Sequence, residues 1–248
     1  MSLLTIVQQG ALNLGLSAPS MVIGSTDQQT QELQAALNNE GKQLWRTTPI
    51  LPQLMRTGSF TTVNTQVQGA LSTLAPDYGY TTHDTVWDRN MAWPIAGPLT
   101  PQQWQLIEAR MLQGPWFRYR IKIDPATNLN SLYLIPAPPA GETFYFEYVS
   151  KFWVRSADGA NIYEQFSASD TDEGMIDEHL LQLGMEWRWL KNKGFENWRD
   201  RYQDYLMYKG TVFAQDGGQR AFTITGALPP LYPEIRQDVQ DGNFPAPT

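Results

Sequence analysis

The sequence predicts an α+β fold. Two segments separated in sequence form a discontinuous α-helical bundle. A mixed β domain is inserted between them, and an extended proline-rich C-terminal arm follows the second segment. Apolar residues recur at steps of three and four near both ends, whereas the period is two in the middle. Prolines forbid a helix or a central strand over most of the last stretch. We therefore divide the chain into helical residues 1–56, a β-rich insertion at 57–168, helical residues 169–216 and an arm at 217–248.

Two helices are predicted at the beginning of the chain. Ser2 suits the cap of the first helix, and Thr26 with Gln29 has the spacing of a capping box at the start of the second. Residues 17–24 form the loop between them. The apolar face of the second helix is expected to contain Leu33, Leu37 and Leu44.

Alternating residues indicate strands in the middle of the chain. In WFRYRIKI, the basic residues Arg118, Arg120 and Lys122 point to the face opposite the apolar residues. SLYLIP supplies a partner strand, and TFYFEYVSKFWVR predicts one further strand with a continuous apolar face. A short helix at about residues 100–112 interrupts this region, with Thr100 and Gln103 as its capping box.

The stretch DEGMIDEHLLQLGMEWRWLKNKG, residues 172–194, places four carboxylates and a histidine within eight residues. A helical pattern puts Asp172 and Glu173 in the first turn, where partial positive charge favours acids, and Gly194 at the end. Asp172 and Asp177 would then lie about 140° apart around the helix, so they would not converge on a metal or a reacting atom. We interpret the stretch as the start of a helix, which a second helix near residues 196–214 follows.

Composition excludes several classes of function. Because the chain has no cysteine, it contains no disulfide and no thiolate site. His83 and His179 lack the spacing of metal ligands, and no nucleotide-binding motif is present, so we expect neither a metal nor a cofactor. The net charge of −7 argues against wrapping DNA. The first residues lack the basic region of a signal peptide, and no apolar run is long enough to cross a bilayer, so we expect no membrane contact.

Six runs share their order and composition with one family of virion proteins. They are SLLTIVQQGALNLGL, STDQQTQELQAALNNEGKQL, DTVWDRN, GPLTPQQWQ, LYLIPAPPAGETFYFEYVSKFW and DTDEGMIDEHLLQLGMEWRWLKNKG, spread over about residues 1–215. They resemble tailed-phage head-to-tail adaptor (connector) proteins, in particular the tail accessory factor and tail tubular protein A class of short-tailed phages.

The resemblance implies a non-enzymatic structural protein of the virion neck and tail region, present in the host cytoplasm during assembly. Such adaptors form homo-oligomeric, usually dodecameric, rings. A ring of this kind would bind the portal protein on the head side and a tail nozzle or tail tube protein on the distal side. Double-stranded DNA would pass through it without specific binding during genome ejection.

The arm carries too many apolar residues for a plain solvated tail. We expect it to bind a partner, the portal in the adaptor family, although it could instead fold back on its own domain. The candidate arm contacts are Phe222, Ile224, Leu228, Leu231, Tyr232, Ile235 and Phe244.

Two charged groups are candidates for contacts between subunits or with the channel. Arg118, Arg120 and Lys122 could meet acids of a neighbouring copy or passing DNA, or form a solvated face balanced by Glu147. The acid-rich stretch from residue 158 to residue 178 could repel DNA from a channel wall, or cap a helix outside the ring. Its candidate residues are Asp158, Glu164 and Asp170.

Two other classes of function remain as alternatives. A carbohydrate-binding or tail-fibre module would need Trp93, Trp116 or Trp153 exposed as a stacking platform. A glycan-cleaving enzyme would need two carboxylates about 5 to 10 Å apart in a cleft. The candidate pairs are Asp84 with Asp88 and Asp170 with Glu173, which we interpret as turn and cap residues.

Overall fold

The computed structural model describes residues 1–47, 51–82, 85–110 and 116–216. Helices and antiparallel sheets together confirm the predicted α+β class, whereas the predicted arm lies outside the described residues. The helices are α1 (Leu3–Asn13), α2 (Gln28–Thr47), α3 (Leu71–Leu74), α4 (Pro101–Arg110), α5 (Glu178–Lys193) and α6 (Trp198–Asp216). The strands are β1 (Met55–Thr61), β2 (Val67–Ala70), β3 (Tyr78–Thr81), β4 (Trp87–Asp88), β5 (Trp93–Pro94), β6 (Arg118–Ile123), β7 (Asn130–Ile135), β8 (Thr143–Ser150), β9 (Val154–Arg155), β10 (Ile162–Tyr163) and β11 (Glu173–Gly174).

Side-chain caps determine where the helices begin. Ser2 caps α1 by accepting a hydrogen bond from the Thr5 amide at 3.3 Å. The predicted capping box of α4 is confirmed, because the Thr100 amide donates to Gln103 Oε1 at 2.9 Å and the Gln103 amide donates to Thr100 Oγ1 at 3.2 Å. The end of this helix, predicted at about residue 112, lies outside the described residues.

The predicted cap of α2 was wrong by one residue. Asp27, rather than Thr26, accepts from the Thr30 amide at 2.9 Å, and the helix begins at Gln28. The same Asp27 oxygen also accepts from the Thr30 hydroxyl, so a carboxylate with two donors replaces the predicted hydroxyl cap.

Helix α5 begins later than its acidic residues predict. Asp177 is the cap and accepts from the Leu180 amide at 2.8 Å, so Asp172 and Glu173 lie before the helix and not in its first turn. Asp172 is buried in the preceding turn, and Glu173 belongs to β11. The predicted end is confirmed, because Gly194 adopts the left-handed conformation with φ of 77°.

Helices from both ends of the chain pack together, with α5 in contact with α1, α2 and α6. Their apolar faces supply most of one core, as the helical periodicity predicts. The fully buried residues of this core include Leu3, Ile6, Val7, Leu33, Leu37, Leu44, Leu180, Leu181 and Met185.

Two carboxylates lie at the centre of this helical bundle and are fully buried. Glu40 of α2 accepts from Arg188 Nε of α5 and from the Tyr205 hydroxyl of α6, each at 2.6 Å. Glu186 of α5 accepts from Asn13 Nδ2 of α1 at 2.8 Å and pairs with Arg201 Nε of α6 at 3.1 Å. Each carboxylate therefore joins one helix from the beginning of the chain to the two consecutive helices α5 and α6.

Two antiparallel sheets enclose a second core. In the larger sheet, β8 pairs with β1 along one edge and with β3 and β4 along the other. The smaller sheet has the order β2-β7-β6. The core between them contains Phe60, Phe144, Phe146 and Tyr148 of the larger sheet and Tyr119, Leu132 and Leu134 of the smaller.

Helix α4 covers the other face of the smaller sheet. Trp104 and Ile107 of α4 pack on Tyr133 and Ile135 of β7. Both faces of β7 are therefore buried, which explains its nearly continuous apolar sequence.

The strand predicted over residues 143–155 divides into two. β8 ends at Ser150, and Val154 belongs to β9, in a small sheet with β10 and β11. The prediction of one continuous apolar face was wrong, because Phe144 and Phe146 face the core between the sheets, whereas Val154 faces the helical core. Over the described ranges, no helix is both long enough and apolar enough to cross a bilayer.

The Glu186–Arg201 pair gives a test of the helical bundle. Replacing Arg201 by methionine leaves a buried carboxylate without its cation, so we expect the free energy of unfolding to fall by about 3 kcal/mol. Arg199, two residues earlier on α6, is exposed, and its replacement by methionine should change the value by less than about 0.5 kcal/mol. Urea unfolding followed by circular dichroism measures both variants, and equal losses would contradict the assignment.

Candidate assembly interface

The acid-rich stretch contains both structural and exposed carboxylates. Asp170 Oδ2 accepts from the Val22 amide at 3.0 Å, and its Oδ1 accepts from the Ile23 amide at 2.7 Å. Asp170 therefore holds the loop between α1 and α2. Asp158 and Glu164, by contrast, are exposed.

The remaining acids of the stretch also have partners within the chain. Asp172 Oδ2 accepts from the Ser169 amide at 2.9 Å, and Glu173 pairs with Arg155 Nη2 at 2.7 Å. This ion pair lowers the pKa of Glu173. The proposed carboxylate pair Asp170–Glu173 thus consists of two groups with separate structural partners. Asp84 of the other pair lies outside the described residues.

The basic face of β6 lies beside α4. Lys122 Nζ is 4.1 Å from the ring centroid of Tyr133 and 4.9 Å from that of Trp104, so it makes cation–π contacts with both. Arg118 and Arg120 are half-buried on the same face of the strand. In the described part of the chain, no ion pair joins Glu147 to these three residues.

The three tryptophans proposed as a stacking platform separate into two environments. Trp153 is fully buried and packs edge-on against Phe166. Trp93 and Trp116 are 38% and 37% exposed, and their ring centroids are 4.9 Å apart. An aromatic pair is therefore open to solvent next to the β4–β5 hairpin.

The larger sheet presents a second open surface, on the face opposite the core between the sheets. A cavity of about 450 Å³ lies there, lined by side chains that include Thr57, Trp87, Arg89, Tyr145 and Glu147. The Arg89 guanidinium lies 3.9 Å from the centroid of the Tyr145 ring. Helices cover only the other end of this face, where Val149 joins the helical core.

Strand β1 forms the outer edge of this open face, and sequence reasoning missed it. Thr57, Ser59 and Thr61 are exposed, whereas Gly58 and Phe60 face the opposite side. The alternation of threonine or serine with glycine and phenylalanine is the period-two signal that would have identified the strand. A seven-residue strand edge is a surface to which an extended peptide can pair.

The turn of the β4–β5 hairpin rests on the buried carboxylate of Asp88. Asp88 Oδ1 accepts from the amides of Asn90 and Met91, at 2.9 and 3.2 Å, and holds the turn. Burial, and then the negative charge of Asp88, raise the pKa of Glu142 above its ordinary value of 4.5. The ionised form of Glu142 is therefore disfavoured in the folded chain.

Among the described residues, the other ionisable groups show no arrangement of metal ligands. His179 packs edge-on against Tyr208, with ring centroids 4.7 Å apart, and His83 lies outside the described residues. Across the described ranges, no three His, Asp or Glu side chains form a group that could hold a metal ion.

No protein-family model matches the chain, and a comparison with curated proteins finds no similar sequence. The surfaces described above therefore have to support any functional assignment.

Asp170 and Glu164 give a matched test of the acidic stretch. Asp170→Ala removes the acceptor of two backbone amides, and we expect it to lower the free energy of unfolding by about 1–3 kcal/mol. Glu164→Ala removes an exposed charge and should change the value by less than about 0.5 kcal/mol. Chemical unfolding compares the two variants, and equal effects would show that Asp170 does not hold the loop.

The raised pKa of Glu142 predicts a pH dependence. A carboxyl group with a raised folded pKa contributes stability below its unfolded pKa and loses this contribution as pH rises through the folded pKa. Glu142→Gln should therefore be more stable than the parent at pH 7, with the gain disappearing near pH 4. Melting temperatures across this range measure the difference. Glu164→Gln, at an exposed residue, should show no such gain.

Proposed function

We propose that the chain is a head-to-tail adaptor, a structural virion protein that forms a ring beneath the portal and extends the DNA channel toward the tail. The observation that carries the proposal is the closed helical bundle made from both ends of the described chain, with a β region inserted between them. This arrangement agrees with the order of the runs that resemble the adaptor family. Residues 217–248 follow directly on α6 and supply an arm for a partner.

Charge supports a conduit rather than a DNA-binding protein. A channel that gripped phosphates would slow the DNA, because every neutralised phosphate strengthens binding. With a net charge of −7 per copy and exposed carboxylates at Asp158 and Glu164, a ring of copies would repel DNA from an acidic wall.

The acidic pair Asp170–Glu173 supports a structural rather than a catalytic role. Glycoside hydrolysis needs two carboxylates facing one cleft. Here Asp170 binds the loop before α2, and Glu173 binds Arg155. We propose a non-enzymatic protein whose partners are other copies of itself, the portal and a tail nozzle or tail tube protein.

Deletion of residues 217–248 tests the role of the arm. We expect the far-ultraviolet circular dichroism of the described fold to remain, because all of its core residues precede this segment. Binding to portal particles, followed by electron microscopy or native mass spectrometry of the mixture, should be lost. Unchanged portal affinity would show that the arm is not the anchor.

Charge reversal tests the acidic wall. The double substitution of Asp158 and Glu164 by lysine should preserve assembly and slow DNA ejection, more strongly at low salt, where screening is weak. Asp170 is left unchanged because its carboxylate is structural. Reversal of both Asp200 and Asp204, which are exposed on α6, makes the same change in net charge and is the control. Ejection rates equal to the parent at every salt concentration would place these acids away from the DNA.

A carbohydrate-binding role is a second candidate, because Trp93 and Trp116 form an exposed pair. Exposed aromatic rings provide large, rigid contact surfaces. A glycan array probed with the parent and with Trp93→Ala tests this role. Saturable binding that the substitution abolishes would favour it over the adaptor.

A further inference from the structure

The outer edge of β1 lacks the features that usually protect exposed strands. β1 is seven residues long, contains neither proline nor lysine, and keeps an unbroken register with β8. Its one charged residue, Arg56, is paired with Asp77. On the other side of β8 the outer strands are shorter, because β3 has four residues and β5 has two. Natural proteins protect strand edges with short strands, bulges, lysine or proline, because an open edge pairs with other chains.

The hydrogen bonds of β8 show which groups of β1 face outward. The amide and carbonyl of Glu147 are bonded on the β3–β4 side, to Thr85 Oγ1 and to the Thr82 amide. Thr57, the partner of Glu147, is therefore in a non-hydrogen-bonded pair with β8. By alternation, Thr57, Ser59 and Thr61 all direct their N–H and C=O groups away from β8. Within the described residues, none of these groups has a backbone partner.

A complementary segment occurs in the same chain. Residues 221–225, AFTIT, follow the four residues GGQR after α6 and alternate polar with apolar side chains. β-branched and aromatic residues favour strands. We propose that residues 221–225 of a second copy add to the outer edge of β1 as an antiparallel strand. This strand contact rests on the ring of the proposed function, and it is the contact between neighbouring copies in that ring.

The side chains fix the register of the added strand. With Thr223 opposite Ser59, Thr225 lies opposite Thr57 on the open polar face, where such hydroxyl pairs stabilise sheets. On the other face, Phe222 then lies opposite Phe60 and extends the core between the sheets. Ile224 lies opposite Gly58, beside the Phe146 ring that covers this glycine. A slip by one residue would turn the phenylalanine and isoleucine toward the polar face.

The direction of the added strand favours a second copy as its source. Thr211 and Val212 of α6 line one cavity with Gln53, which lies just before β1. A strand that continued from the same chain would therefore enter at the beginning of β1 and run parallel to it. A strand from another copy enters at the Thr61 end and runs antiparallel, as all strand pairs in the described sheets do.

Disulfide trapping tests the contact, and the natural absence of cysteine makes it specific. Full-length chains carrying Ser59→Cys are mixed with full-length chains carrying Thr223→Cys and oxidised mildly, and linked dimers are counted by mass. Paired antiparallel residues lie within disulfide range, and a disulfide captures even short-lived pairing. We expect at least a tenfold higher yield than for Glu164→Cys mixed with Thr223→Cys, because Glu164 is exposed and follows β10, which belongs to a different sheet.

The result that would overturn the proposal is equally specific. A yield no higher than for the Glu164 control excludes pairing at β1. A chain that carries both Ser59→Cys and Thr223→Cys and links only within itself, at every concentration, excludes the second copy. Disulfide trapping needs no portal protein, so it is independent of the adaptor function. If the linked dimer forms but the chain does not bind portal particles, the adaptor function is contradicted and the strand contact is retained.

A substitution in the edge provides a second measurement. Ser59→Pro removes an outward N–H that the fold of the single chain does not use, and proline is tolerated on strand edges. We expect self-association, measured by sedimentation, to weaken at least tenfold while circular dichroism stays unchanged. Ser59→Thr keeps both the N–H and the hydroxyl and should associate like the parent. Equal association of both variants would overturn the contact.

Discussion

Two buried carboxylates, Glu40 and Glu186, constrain the rest of the structure. Removing a carboxylate from water costs several kcal/mol unless cations and hydrogen-bond donors replace the lost hydration. Here those partners come from other helices: Arg188 and Tyr205 serve Glu40, and Arg201 and Asn13 serve Glu186. Gly184 leaves room for Glu40, because a Cβ at that position would overlap its side chain. An arrangement of the helices that separates these partners would leave a buried charge unpaired.

The helical bundle also decides which surfaces of the β region remain open. It covers the end of the larger sheet where Val149 and Tyr80 pack, and leaves the end with Tyr145, Glu147 and the exposed residues of β1 uncovered. The core between the sheets closes the opposite face. Neither of the two cores covers the open face of the larger sheet or the outer edge of β1. These two surfaces are therefore accessible to partners.

Local chemistry could be predicted from the sequence, whereas contacts between distant segments could not. The capping box of Thr100 and Gln103 needs only neighbouring residues, and it forms as predicted. Asp172 and Glu173 were placed in a helix because their spacing allowed it. In the fold, the Asp172 carbonyl instead accepts from the Leu3 amide at the start of α1. Likewise, nothing in the sequence near Lys122 indicates that α4 covers its face of the sheet. The arm residues lie outside the described ranges, and their binding role stays a prediction.

The pairing of distant helices has a consequence for synthesis on the ribosome. Glu40 and Arg188 are 148 residues apart in sequence. At translation rates of about 5–20 residues per second, α1 and α2 would wait roughly 7 to 30 s for their partners to be made. During that interval α1 and α2 can contact each other but lack α5, which packs on both of them in the folded chain. The rate of translation across the β region therefore sets how long their apolar faces stay exposed.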